Sequence, residues 1–288
     1  MLHFVYNPTA GDGKGERARL AIEPMLRAVP HAFHPTRAAG EAAAIARQLT
    51  GGEGDIDIIA MGGDGTLHEV LNGLRDPARA RLGLIPCGSG NDFAAVAGIP
   101  QDPAKALKII LSGAARPTDY MKCSGVRGIN AIGTGIDVDI LCRYARMKRL
   151  KGSAAYLASL ILTVIGYEPK RFDEITGDTV QPHEALIACA ANGQRFGGGI
   201  PIAPRAEIDD GLLDVVIIDG IKKHAIPHAF VRLMQRRVLE LKATVFKRQD
   251  RLTVQSDGPM PIQIDGEIYE DLPFDVRLVH GVLRFYRP

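Results

Sequence analysis

The sequence lacks most of what would mark a membrane-spanning, secreted or nucleic-acid-binding protein. Its longest apolar stretch, residues 154–165, falls well short of the roughly 18–20 residues that cross a bilayer, which excludes a transmembrane span. The four cysteines, Cys87, Cys123, Cys142 and Cys189, lie far apart and form no C-x-x-C pair. Their spacing supports neither a zinc ribbon nor a disulfide framework, and small buried thiols in a reducing cytosol are the expectation. The opening residues 1–8 carry neither a basic lead nor a long apolar region, so they predict a strand rather than a secretory signal. Net charge is nearly absent too: 35 Lys and Arg against 33 Asp and Glu leave +2, too little for the basic surface that nucleic acid requires. No internal repeat and no low-complexity tract is present.

What remains is a folded chain of 288 residues, 46% hydrophobic and 24% charged, long enough for two domains or one large one. The first 117 residues alternate short apolar runs with helical patterns, which predicts an α/β domain with a doubly wound, mostly parallel sheet. Residues 3–6, 31–34 and 56–61 read as strands, and 40–49 as a helix. Ala18, Ala21, Ile22, Met25, Leu26 and Val29 form one apolar helical stripe. From 118 to 288 the pattern alternates in twos, with strands expected at 251–255, 261–265, 274–279 and 282–286, and helical insertions at 140–166 and 225–237. A β-rich, sandwich-like second domain is the expectation.

Three glycine-bearing loops follow strands in the first part. Gly62-Gly63-Asp64-Gly65-Thr66 leads from an apolar strand into the helical stripe Leu67, Val70, Leu71 and Leu74, and Thr66 with Glu69 has capping-box spacing. Glycines at such a turn either simply tighten it or let backbone N–H groups approach an anion at the positive end of a helix. Asp64 favours a ligand carried with a cation, because a carboxylate beside an anion needs a metal ion or a catalytic role to be tolerated. Asn7-Pro8-Thr9-Ala10-Gly11 and Gly88-Ser89-Gly90-Asn91-Asp92 follow two further strands. In an open α/β sheet, loops at the carboxyl ends of strands line one crevice. None fits GxxxxGK[ST], Glu16 spoils GxGxxG in the first loop, and GxSxG is absent. His224 and His228 are spaced like metal ligands, but Pro227 lies between them, and surface histidines are the simpler reading.

In the second part Asp210-Gly211 and Asp265-Gly266 between alternating runs are first of all hairpin signals. Together with the three loops, and with Glu267 after Gly266, they resemble the diacylglycerol kinase catalytic-domain family, which includes bacterial lipid kinases and sphingosine kinases and is distantly similar to NAD kinases. The resemblance covers nearly the whole chain. It implies an ATP site in a cleft between the two domains, with phosphoryl transfer to a lipid hydroxyl. Carried over by position, Asn7, Pro8, Thr9, Ala10, Gly11, Thr36, Gly62, Gly63, Asp64, Gly65, Thr66, Glu69, Gly88, Ser89, Gly90, Asn91 and Asp92 would surround the nucleotide. Ser89 stands where Thr is common, and His68 where Asn is frequent.

The resemblance further implies a structural Mg²⁺ held by Asp210 with the backbone carbonyls of Glu207 and Leu212, and a reaction centre containing Asp265 and Glu267. Oxygen-only ligands suit that cation. Glu267 is the first choice for the base that takes the hydroxyl proton, Asp265 the second, and Asp64 the organiser of nucleotide-borne Mg²⁺. Arg143, Arg146, Lys148, Arg149 and Lys151 before the apolar stretch predict contact with an anionic membrane surface, where a lipid substrate resides. Expected with this are a cytoplasmic protein peripheral to the inner face of the membrane, a diacylglycerol-like acceptor, and no nucleic-acid partner. A homodimer is the expected assembly, with oligomeric state open. A kinase of a soluble acceptor akin to NAD kinase, and a non-catalytic nucleotide- or lipid-binding regulator, are the alternatives.

Overall fold

A computed structural model describes residues 1–146, 162–163 and 166–288. Four parallel strands, β1 (Leu2–Tyr6), β2 (His31–Pro35), β3 (Ile56–Gly62) and β4 (Ala80–Pro86), lie side by side in the order β4-β3-β1-β2. Phe4, Ile58, Ile59, Leu82 and Ile85 are wholly buried between flanking helices, which is why β3 and β4 read as continuous apolar runs rather than alternating ones. The helices are α1 (Ala10–Ile22), α2 (Glu41–Leu49), α3 (Asp64–Gly73), α4 (Asp92–Val96) and α5 (Pro103–Leu111). Pro103 opens α5, and Asp102 caps it by accepting the Lys105 N–H at 2.8 Å.

Two local expectations change. The apolar stripe from Ala18 is not one helix: α1 stops at Ile22, and Pro24 diverts residues 23–26 into a 3₁₀ turn that still buries Leu26. Ala21 is exposed. Thr66 and Glu69 form no capping box. The helix starts earlier, at Asp64 with Gly63 as its N-cap, so Thr66 falls inside it, and Glu69 caps a different helix by accepting the Ala42 N–H of α2 at 3.0 Å.

The rest is chiefly antiparallel: β5 (Ala115–Cys123), β6 (Val126–Gly128), β7 (Ala131–Gly135), β8 (Lys170–Thr176), β9 (Thr179–Ala191), β10 (Leu213–Asp219), β11 (Thr244–Gln249), β12 (Arg251–Gln255), β13 (Ile262–Ile264), β14 (Glu267–Tyr269) and β15 (Phe274–Tyr286). Helix α6 (Ile136–Arg146) follows β7, and α7 (Ile226–Met234) follows β10. Period-two alternation splits β10 between two cores. Val215 and Ile217 pack with Met121, Leu252 and Val276, whereas Val216 and Ile218 face Ile136 and Ile140 of α6 and Ile226 of α7. Of the basic cluster, Lys148, Arg149 and Lys151, together with most of residues 154–165, lie outside the described residues. No helix among the described residues is long and apolar enough to cross a membrane.

The two strands expected at 274–279 and 282–286 are one. β15 shifts register between Val279 and Leu283, where Gly281 takes a positive φ of 62°, a bulge that bends the strand without ending it. Its first half pairs with β12 and β5, and its end runs parallel to β4 through Arg284 and Phe285. The last strand therefore closes the first sheet and belongs to the second. Tyr286 finishes the junction, its hydroxyl donating to Asp57 Oδ1 at 2.7 Å beside the Arg81 guanidinium. Removing one donor to a buried carboxylate costs about 1–3 kcal/mol. Tyr286→Phe should therefore melt several degrees below the parent in thermal denaturation, and an unchanged melting temperature would show that apolar packing alone holds β15 to the first sheet.

Candidate active site

The loops after β1, β3 and β4 meet backbone to backbone. A methyl built on Gly88 would lie 2.5 Å from Gly63 Cα, and one on Gly11 would lie 2.2 Å from the Cys87 carbonyl oxygen. No side chain fits between these loops, so their N–H groups and helix starts form one surface at the carboxyl end of the sheet. Gly11, Asp12 and Gly13 all sit at positive φ, and regular helix in α1 begins only beyond them. Asn7 braces this loop by accepting the Thr9 N–H at 3.0 Å and its hydroxyl at 2.9 Å. Pro8 and Ala10 lie in the same turn. Thr36, at the end of β2, is buried and donates its N–H to the Tyr6 carbonyl at 2.8 Å. Asn91, at φ 50°, ties its own loop by accepting the Gly88 N–H at 2.9 Å and donating to Gln101 at 2.7 Å. Ser89 at the loop tip is exposed.

Acids gather on this surface. Asp64 accepts the N–H groups of Asp92 and Phe93, both at 3.2 Å, at the start of α4. Burial pushes the Asp64 carboxyl above its usual range, and the nearby Asp265 adds to the rise. Asp92 is buried and likewise raised, by burial first and by Asp64 as well. It reaches across to the second part of the chain, accepting the Gly198 N–H at 2.7 Å and pairing with Arg195 at 3.2 Å.

From the opposite side, β13, β14 and the turn between them bring Asp265 and Glu267. Asp265 occupies the left-handed region at φ 52°. Its carboxylate accepts the N–H groups of Ile129 (2.8 Å), Asn130 (2.8 Å) and Ala131 (3.2 Å), with His68 Nδ1 of α3 at 3.4 Å. His68 Nε2 in turn meets the Tyr269 hydroxyl at 3.0 Å. Glu267 is exposed, and a methyl on Gly65, at the start of α3, would lie 3.3 Å from its Oε1. The structure thus brings Asp64, Asp265, Glu267 and the glycine loops to one place. Asp210 stands apart from them: its carboxylate accepts the Leu212 N–H at 3.0 Å and pairs with Arg248, which also bonds Asp214 at 3.1 Å.

The sequence reasoning overlooked Asp92's partners. Gly197-Gly198-Gly199, all at positive φ, is the run that signals a loop able to approach another backbone, and Arg195 precedes it. His68, noted in the sequence only as standing where Asn is frequent, bridges the two parts with Tyr269, which had no motif of its own.

Comparison with known proteins agrees with this architecture. Residues 1–123 match the diacylglycerol kinase catalytic domain, and residues 130–287 match the YegS C-terminal NAD kinase beta sandwich-like domain. The chain is 30% identical over 276 residues to the diacylglycerol kinase of Bacillus subtilis, covering 94% of this chain and 90% of the relative. It is 32% identical over 243 residues to a Xanthomonas campestris protein named "Probable lipid kinase YegS-like", covering 80% of this chain and 78% of the relative. The crystal structure of a Bacillus anthracis diacylglycerol kinase superposes with a TM-score of 0.74 at 22% identity, covering 100% of this chain and 96% of that one. An Archaeoglobus fulgidus NAD kinase solved in complex with ATP shares the fold at a TM-score of 0.52 and 12% identity, covering 100% and 94%. The two matches divide the chain as the fold does, into an α/β layer with glycine-built loops and a β-sandwich-like domain. The chain belongs to the diacylglycerol kinase catalytic-domain family.

At the place where a structural Mg²⁺ is expected, Asp210 pairs with Arg248. Arg248 brings a fixed positive charge to the only carboxylate of that set of ligands, and Glu207 is exposed. Among the described residues no group of three or more acidic, His or Cys side chains could cage a metal ion. Two outcomes are expected. Without nucleotide, EDTA should leave the melting temperature where it is in Mg²⁺, while Arg248→Ala lowers it; a drop with EDTA would place a divalent ion there. Gly88→Ala, which forces a methyl against Gly63, should cost about 1–3 kcal/mol in chemical denaturation, and a neutral result would mean that the loops are free to part.

Proposed function

We propose that the protein is an ATP-dependent lipid kinase that transfers the γ-phosphoryl group to the hydroxyl of a diacylglycerol-like lipid. The observation that carries this reading is the placement of Glu267 Oε1 over Gly65, at the N-terminus of the helix that follows the glycine loop. A triphosphate lying on those N–H groups would present its terminal phosphorus toward that carboxylate. Membership of the family supports the kinase class, and the names borne by its relatives support a lipid acceptor.

Phosphoryl transfer asks for positioning and charge neutralisation more than covalent help from the protein. As the lipid oxygen bonds to the γ-phosphorus and the bond to the β,γ-bridging oxygen breaks, the hydroxyl proton passes to Glu267. Asp265 is unsuited to that task, because hydrogen-bond donors already surround its carboxylate. It acts instead as a positioning residue for the turn that presents Glu267. Burial first, and then the charge of Asp265 on Asp64 and of Asp64 on Asp92, holds both carboxyls above their usual range, which fits Mg²⁺ arriving with the nucleotide, with Asp64 as the carboxylate that would hold it. That ion would supply neutralisation of phosphate charge, and it commonly keeps waters and phosphate oxygens as its other ligands. Asn7, Thr9, Gly63 and Ser89 are assigned to the nucleotide by their place on the loop surface.

Incubation with radiolabelled ATP and extracted membrane lipids tests the reading. Labelled lipid is expected, and label in a soluble product instead would point to an NAD-kinase-like acceptor. Glu267→Gln should lower kcat by roughly 10²- to 10⁴-fold while ATP still protects the protein against heat. Unimpaired turnover in the folded variant would remove Glu267 from the role of base.

A further inference from the structure

The segment that follows β9 is held in place from several sides. The Asn192 side chain donates to the Asp119 and Ile129 carbonyls at 3.0 and 2.8 Å. Asn130, whose N–H goes to Asp265, donates its side-chain amide to the Arg195 carbonyl at 2.5 Å. Phe196 is buried and exchanges backbone hydrogen bonds with Ile200 at 3.1 and 2.9 Å, which closes Gly197-Gly198-Gly199 into a tight loop. From this frame the Arg195 side chain crosses to the first part of the chain, where its Nε lies 3.2 Å from Asp92 Oδ1.

That pairing is a poor clamp. Arg81 with Asp57 and Arg251 with Asp275 each set Nε and Nη2 against both carboxylate oxygens, at distances from 2.6 to 3.0 Å, the two-pronged geometry a guanidinium favours. Arg195 meets Asp92 through Nε alone, and neither Nε nor Oδ1 makes a hydrogen bond of normal geometry although both atoms are buried. Its two terminal nitrogens bond nothing among the described residues and stay open to solvent, with 31% of the side chain exposed. A guanidinium steadied at its stem with its fork unused is ready for an anion that offers two oxygens.

The fork stands where the glycine loops converge. A methyl built on Gly90 would lie 3.1 Å from Asp64 Oδ2 and 3.5 Å from Gly198 Cα, and Asp92 opens α4 directly after that loop. Asp64, Asp92, Asp265 and Glu267 make this surface acidic, so a phosphoryl group arriving there gains from a fixed positive charge. We propose that Arg195 is a phosphate-binding residue supplied by the second part of the chain, its two terminal nitrogens donating to oxygens of the γ-phosphoryl group of the nucleotide. This rests on the phosphoryl-transfer reading above. As the acceptor oxygen bonds to the γ-phosphorus and the bond to the β,γ-bridging oxygen breaks, Arg195 gives up no proton. It neutralises charge on the group in flight, while the hydroxyl proton goes to Glu267. Nε keeps its place beside Asp92, so the carboxylate that holds Gly198 also sets the approach of the fork.

The test compares binding of Mg-ADP and of the non-hydrolysable Mg-AMP-PNP by isothermal titration calorimetry, beside phosphorylation of extracted membrane lipids. Arg195→Ala should weaken AMP-PNP about 10- to 100-fold, the worth of a charge-assisted hydrogen bond, and leave ADP within about twofold of wild type. Its kcat should fall about 10³-fold, and added guanidinium should restore part of that loss where sodium at equal ionic strength does not. Equal weakening of ADP and AMP-PNP, or unimpaired kcat in the folded variant, would overturn the assignment, because a residue that merely braced Asp92 would not read the third phosphate. Should Arg195→Ala fail to fold, Arg195→Lys, which keeps a charge beside Asp92 and loses the fork, carries the test. A kcat lowered by about tenfold or more with ADP affinity intact supports the assignment, and wild-type kcat overturns it. Wild type that binds neither nucleotide would instead bring down the phosphoryl-transfer reading, and this assignment with it.

Discussion

One carboxylate sets the arrangement of everything around the candidate active site. Asp265 sits in a backbone region that residues with a Cβ seldom occupy, and it stays there because three consecutive N–H groups from residues 129–131 converge on its oxygens. That grip fixes the reversal between β13 and β14, and the reversal aims Glu267 at the start of α3. His68, reaching from α3 to Asp265 and Tyr269, fastens the same turn to the α/β layer. A strained residue held by several donors at a functional edge is a common way to pre-organise a neighbouring group.

The other lobe makes its own connection through Asp92. Its side chain leaves the start of α4 and holds the Gly198 N–H, so the glycine loop of the first part and the triple-glycine loop of the second share one carboxylate. The same segment sends Phe196 and Ile200 into the core that packs between α6 and β10.

Much of this was legible in the residues. The parallel layer announced itself because β3 is apolar on both faces, and the three glycine loops because each follows such a strand. Asp64 stood out as an acid where an anion should lie. What local pattern concealed was long-range. Nothing near Asp265 says that residues 129–131 will supply its donors, and Thr66 and Glu69 imitate a capping box although Glu69 serves α2, 27 residues away in sequence. The pairing of Asp210 with Arg248, 38 residues further on, was equally invisible to local spacing. β5, β9 and β10 escaped the reading because packing on two faces hides their period. The split of β15 into two strands followed from Gly281, which marks a bulge as readily as a turn.

β15 also carries a consequence for how the molecule comes into being. The parallel layer formed by the first third of the chain keeps an open β4 flank until Arg284 and Phe285 arrive. During translation that layer must wait for nearly the entire second domain to emerge from the ribosome. The usual order, in which an upstream unit matures before the downstream one is made, is unavailable here. An unpaired apolar flank is also a target for association with other chains. Nascent copies crowded on one messenger would be exposed to that hazard until β15 has been made.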